Sequence, residues 1–259
     1  MVDARQAAYL LALGVDVYVP RSSPPWQDEM AAETTAPAVP AAPGPSPFVV
    51  ARTDEKALHP DIAANLGWDE LRAAVAGCQL CDLHATRTQT VFGVGNRQAR
   101  WMFIGEAPGA EEDRQGEPFV GRAGQLLTSM IRALGLRRED VFIANVLKCR
   151  PPDNRDPKPG EVARCRRYLE RQVALVNPTL VIAVGRIAAQ NLLATETPIA
   201  KLRGKVHSFG AQAWPVVVTY HPAYLLRSPG EKRKSWQDLL HARRLFGRLE
   251  QESASGGRA

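Results

Sequence analysis

Four cysteines, a crowded set of acids, one asparagine and one histidine are the side chains in this sequence whose types and spacing could do chemistry. Cys78 and Cys81 form a C-x2-C pair, Cys149 follows after 67 intervening residues, and Cys165 after 15 more. Four thiolates suggest a zinc ion or an iron–sulfur cluster. Zinc sites more often join two short C-x-C knuckles, whereas the wide second spacing, with Cys165 on a helix candidate, suits a cluster somewhat better; spacing alone leaves both open. A chain with no secretory signal has no obvious use for a disulfide framework.

The segment GEAPGAEEDRQGEPFVGRAGQLL, residues 105–127, puts Glu106, Glu111, Glu112 and Asp113 into eight positions directly after the apolar run 101–104. A carboxylate held there can orient or deprotonate a water. Asn145 stands in the apolar run VFIANVL, where its amide offers a donor and an acceptor in one plane. His221 precedes Pro222, which favours an extended backbone at the histidine.

The elements that must position these groups follow from hydrophobic periodicity. Strands are predicted at 101–104, 141–147, 180–184 and 216–220, and helices near 121–135, 159–176, 185–194 and 233–249. Short β-branched or aromatic runs alternating with helix-period segments predict parallel strands with crossover helices. Three of the four strands run into polar residues: Glu106 after the first, Asn145 and Lys148 at the end of the second, His221 after the fourth. Ligands of open α/β sheets sit at the carboxyl ends of the strands, so these three segments are expected to converge on one site.

Charge names the class of partner. The chain carries a formal +6, concentrated in 148–167 (seven basic against three acidic residues) and 227–248 (seven against two), while residues 1–57 are acidic, with four basic against seven acidic. A polyanion is the natural ligand of such a body. No apolar run approaches the roughly 20 residues that cross a membrane, so a cytoplasmic protein is expected. The predicted organisation is a short helix and strand at 1–21, a disordered Pro/Ala-rich linker at 22–60, a catalytic domain at 61–250 and a disordered tail at 251–259.

GEAPGAEEDRQGEPFVGRAGQLL, NVLKCRPPDNRDPKP and HPAYLLR closely resemble, in order, the three signature segments of the family 4 uracil-DNA glycosylases, the iron–sulfur-containing branch of that superfamily. The similarity runs over about residues 66–250. The resemblance implies a three-layer α/β/α fold with a central, mainly parallel four-stranded sheet, and a monofunctional, monomeric enzyme that removes uracil from single- or double-stranded DNA. It also implies a structural [4Fe–4S] cluster on Cys78, Cys81, Cys149 and Cys165, with zinc the less favoured occupant.

Such an enzyme must flip the nucleotide into a pocket and read its Watson–Crick edge. Asn145 is the expected reader, Phe119 the stacking face, and Gly105 and Ala107 further pocket residues. His221 is expected to meet negative charge developing on the leaving base, and Glu106 the oxocarbenium-like sugar and the attacking water, with Asp113 as the fallback acid. Arg150, Arg155, Lys158 and Arg227 are expected on phosphates, and Leu225 or Leu226 as a wedge into the vacated stack. Residues 1–60 lie outside the resemblance; a polymerase clamp or single-strand-binding protein is a candidate partner for them. The alternative reading is a damage-sensing DNA-binding module with little turnover. No G-x4-G-K-[ST] or G-x-G-x2-G loop supports a nucleotide-binding enzyme.

Overall fold

The computed structural model describes residues 63–256. In chain order the main elements are α1 (Trp68–Ala76), β1 (Val94–Gly95), β2 (Trp101–Gly105), α2 (Ala110–Gln115), α3 (Arg122–Ala133), β3 (Phe142–Asn145), α4 (Pro159–Val176) and β4 (Leu180–Val184). They continue with α5 (Arg186–Leu193), α6 (Ile199–Leu202), β5 (Val206–Phe209), β6 (Trp214–Thr219), α7 (Pro222–Arg227) and α8 (Lys232–Gly256).

The strands form one sheet in the order β1-β3-β2-β4-β6-β5. The four inner strands are the predicted ones and run parallel, with Gly105 opposite Asn145 and Val184 opposite Thr219. The expected four-stranded sheet is extended to six by two antiparallel edge strands, β1 on β3 and β5 on β6. β2 and β4 are buried along their whole length because helices cover both faces, which is why they read as continuous apolar runs.

Alternation within those runs sorts side chains between two cores. Met102, Ile104, Phe142, Ala144, Val181 and Val218 face Tyr168, Leu169 and Val173 of α4. Phe103, Ile143, Ile182 and Val217 face Leu127, Met130 and Ile131 of α3 and Trp236 and Leu239 of α8. The three layers of the expected α/β/α fold follow.

Local chemistry sets the ends of the crossover helix α4. Pro159 occupies its first turn, the Glu161 carboxylate accepts from the Lys158 N–H at 2.8 Å, and Asn177 closes the helix at φ 48°. At the other end of the chain, residues 251–256 continue α8, which corrects the predicted tail. The predicted N-terminal helix and strand and the linker lie outside the described residues.

β2 pairs with β3 on one side and β4 on the other, so the chain leaves β2 in one direction and returns on the other. The connections diverge at its carboxyl end, where such sheets open a crevice. Glu106 is the first residue beyond that end.

One tight contact guards the approach. A Cβ on Gly124 would lie 1.8 Å from the carbonyl oxygen of Phe119, whose own φ is 56°. Helix propensity alone makes Gly→Ala in α3 stabilising by about 1 kcal/mol, but overpacking against backbone costs about 1–3 kcal/mol or more. Chemical denaturation of Gly124→Ala is therefore expected to show net destabilisation.

Candidate active site

A cavity of about 800 Å³ opens at the carboxyl ends of β2, β3 and β6. Glu106, Phe119, Asn145, Arg186, Tyr220 and His221 are among its walls, so the three predicted segments do converge. Ala107 lines it as well.

The floor is built on a close approach. A Cβ on Gly105 would stand 2.5 Å from Asn145 Oδ1 and 2.5 Å from Phe119 Cζ, so glycine lets the amide and the ring meet across the strand end. Asn145 is 2% exposed, and its Oδ1 is buried with no donor. An unpaired buried acceptor costs about 1–3 kcal/mol, a cost a ligand N–H would remove. Phe119 is held in the left-handed region that non-glycine residues seldom adopt, a form of strain that clusters at binding sites. Arg138 fixes its loop by donating to the Pro118 carbonyl at 2.6 Å. The Phe119 ring lies 5.6 Å from that of His221, at an interplanar angle of 30°.

The four acids divide their work. Glu106 is half-buried and faces the cavity; burial, and then the Asp156 carboxylate, push its pKa up to about 7 against the pull of Arg186. Arg186 pairs with Asp156 at 2.8 Å on the same wall. Glu112 braces the loop, with Oε2 accepting from the Gly109 N–H at 3.1 Å and Oε1 from Val120 and Gly121 at 3.0 and 3.3 Å. Glu111 pairs with Arg114.

Asp113, the fallback acid, is placed elsewhere. It is 4% exposed, both its oxygens accept from the Thr88 N–H at 3.0 and 3.1 Å, and it does not line the cavity. Of the two acids expected to act on water, Glu106 is the one that lines the cavity.

His221 caps α7, its Nδ1 accepting from the Ala223 N–H at 3.1 Å. That contact assigns the proton of the neutral ring to Nε2. Burial, reinforced by Arg227 and only partly opposed by Glu112, pushes its pKa down to about 4. The imidazole is thus a neutral donor at physiological pH.

The expected DNA contacts separate on inspection. Leu225 is 1% exposed and packs in the core with Leu127 and Met130, so it is no wedge; Leu226 is 38% exposed. Arg227 is exposed and lines the cavity with Tyr224. Lys158 is exposed, and Arg150 donates to Asn154 Oδ1 at 2.9 Å. Arg155 lines the cavity, but its guanidinium grips Glu161 at 2.6 and 2.9 Å and so organises the loop.

All four cysteines border a second, small cavity between the segment after α1, the segment after β3, and α4. Cys149 and Cys165 are buried. Arg87 Nη1 donates to Cys149 Sγ at 3.1 Å, and the Lys148 N–H to Cys165 Sγ at 3.3 Å. Burial raises the thiols of Cys81 and Cys149 and pushes Cys165 up to about 12. Among the described residues no group of three or more His, Cys, Asp or Glu side chains is drawn together enough to hold a metal ion. The thiols surround the cavity without converging on a point.

Glu112 shapes the loop, as expected of the acids that follow Glu106. Three residues went unassigned at the sequence level. Arg186 and Tyr220 sit at segment ends whose facing the sequence pattern does not report. Lys148 left a visible signal, a charge inside the apolar run that leads from Asn145 to Cys149; it is 1% exposed, and burial pushes its pKa down to about 8.

The chain matches the Uracil DNA glycosylase superfamily over residues 92–240. It is 46% identical over 190 residues to the Type-4 uracil-DNA glycosylase of Archaeoglobus fulgidus, covering 70% of this chain and 94% of that protein. To the Type-4 uracil-DNA glycosylase of Thermotoga maritima it is 47% identical over 156 residues, 60% of this chain and 80% of that one. Similarity extends to the Type-5 uracil-DNA glycosylase of Thermus thermophilus, 35% identical over 119 residues, 40% and 54% of the two chains.

The histidine assignment can be checked directly. An NMR titration is expected to find His221 neutral, protonated on Nε2, with a midpoint near 4; a midpoint near the ordinary 6.5 contradicts the burial argument.

Proposed function

The chain belongs to the uracil DNA glycosylase superfamily, and from that premise we propose that it is a DNA-repair glycosylase that hydrolyses the N-glycosidic bond of uracil, with water as nucleophile, leaving an abasic site. The observation that carries this is the unpartnered Oδ1 of Asn145 beside the Phe119 ring. Uracil brings an N3–H donor to Oδ1 and an O4 acceptor to the amide NH2; cytosine has no N3–H and presents an amino group instead of O4. Binding uracil satisfies the orphan, and binding cytosine opposes two like groups. Phe119 supplies the face on which the flipped base rests.

As the bond breaks, negative charge gathers on the base, chiefly at O2 and N1. The Nε2–H of His221 is a donor available to O2, and its gain grows as charge develops, which is what accelerates the step. Glu106, ionised, stabilises the positive sugar and holds the water. The described residues lining the cavity include no lysine, which favours hydrolysis over Schiff-base lyase chemistry.

The thiolate-only donor set of Cys78, Cys81, Cys149 and Cys165, with Arg87 and Lys148 donating to two of the sulfurs, suits a [4Fe–4S] cluster, which is softly ligated and tuned by such bonds; zinc is the less favoured occupant. Bound there, the group would be structural, crosslinking α4 to the segments after α1 and β3. Leu226 and Arg227 would meet the DNA, the one at the gap left by the uracil and the other on phosphate. The enzyme would act as a monomer on nucleoid DNA in the cytoplasm, with residues 1–60 recruiting a repair or replication protein.

Excision of uracil from labelled single-stranded and duplex DNA by anaerobically prepared protein tests the reading. Ionised Glu106 is the working form, so kcat/KM is expected to rise as pH rises through about 7 and to fall below it, while His221, neutral down to about 4, adds no limb there. Glu106→Gln should lose at least about a hundredfold and the acidic limb with it. DNA binding without release of uracil would favour the sensing module instead.

A further inference from the structure

Lys148 is the buried charge that neither the fold nor the proposed chemistry uses. It is 1% exposed, and its stem borders the cysteine cavity. Its ammonium has three protons to donate, and the described residues offer one acceptor, the backbone carbonyl of Asn145 at 2.8 Å. Its own N–H goes to Cys165 Sγ at 3.3 Å, and its carbonyl accepts from Val91 N–H at 2.8 Å. No carboxylate pairs with it among the described residues. An apolar side chain of similar length would fill the same space without the cost of burying a charge.

The backbone around it is rigidly placed. Val146 N–H donates to Gly105 O at 2.9 Å and Leu147 N–H to Glu106 O at 3.0 Å, so the stretch from Asn145 to Cys149 continues the β2–β3 pairing past the strand end. That stretch has the uracil reader at one end and a cysteine ligand candidate at the other. Lys148 clasps both, its head on the peptide that carries the Asn145 amide and its N–H on a sulfur of the cysteine site.

We infer that Lys148 is a positioning residue that couples the two sites, so that a negatively charged iron–sulfur group on the four thiolates and a uracil on Asn145 each strengthen the hold on the other. This rests on the functional reading above. A charged group at the cysteines draws the ammonium and with it the Asn145 carbonyl, which sets the plane of the side-chain amide; a base held by that amide returns the same constraint. Coupling of this kind is reciprocal by linkage, so it can be read at the metal as well as at the base.

The test uses the iron-loaded, full-length protein and measures the rate at which iron is lost to a ferrous chelator, with and without saturating free uracil. Uracil is expected to slow the loss several-fold, within the range of about 5- to 150-fold that such couplings span. Cytosine, which has no N3–H for Asn145 Oδ1 to accept, should protect far less. In Lys148→Met the protection should vanish, and free uracil should inhibit excision less strongly than in the wild type; Lys148→Arg, which keeps a charge and a donor, should restore part of both. If Lys148→Met does not fold, Lys148→Gln, which keeps a donor but not the charge, takes its place and is expected to lose the protection in the same way. Iron release that ignores bound uracil in an active, iron-loaded protein, or equal protection in Lys148→Met, overturns the coupling. A preparation without iron, or one that excises no uracil, overturns instead the reading on which it rests.

Discussion

The close approach of β2 and β3 at their carboxyl ends is the constraint on which the site depends. Gly105 stands opposite Asn145 in the parallel register, and only its missing side chain lets the Asn145 amide and the Phe119 ring occupy the same few ångströms. The register in turn is set by strands buried on both faces, since a one-residue slip would send Phe103 and Ile104 to the wrong cores. Packing of the hydrophobic layers thus fixes where a polar acceptor is left without a partner. The fold carries a buried oxygen that a ligand N–H could satisfy.

Burial disfavours the charged form of two cavity groups, Glu106 and His221, and so moves their pKa values in opposite directions. It raises Glu106 to about 7, so that the carboxylate is only partly ionised near neutral pH, and lowers His221 to about 4, so that the imidazole is neutral there. A cationic imidazole would be penalised by burial in this site; the neutral ring is held by the Ala223 N–H on Nδ1. Arg186 and Arg227 also line the cavity and bring positive charge to its walls.

What the sequence made legible is what periodicity and strand ends encode. The four buried runs announced a parallel core, and the polar residues just beyond them announced the convergence of Glu106, Asn145 and His221. Facing on short helices was not legible. Leu225 and Leu226 are adjacent on the six-residue α7, so one turns into the core and the other outward, and only packing says which. Likewise Asp113 and Glu106 are both acids near one strand, and it is the phase of α2 that aims Asp113 at the Thr88 amide. The edge strands were missed because Val94–Gly95 has two residues and Val206–Phe209 is largely exposed. The last turns of α8 were missed because Gln251, Glu252 and Ser253 carry no apolar stripe. The protonation state of His221 depends on burial, which no local pattern reports.

The most direct test of the account is the rate of release of uracil relative to cytosine from the same DNA strand, by the wild type and by Asn145→Asp. The exchange keeps shape and one acceptor but removes the NH2 that meets O4. The account predicts that uracil release falls by at least about tenfold, the worth of one buried hydrogen bond, and that the ratio shifts toward cytosine. Unchanged uracil release with an unchanged ratio would contradict it, because the Asn145 amide at the end of β3 would then not be what reads the base.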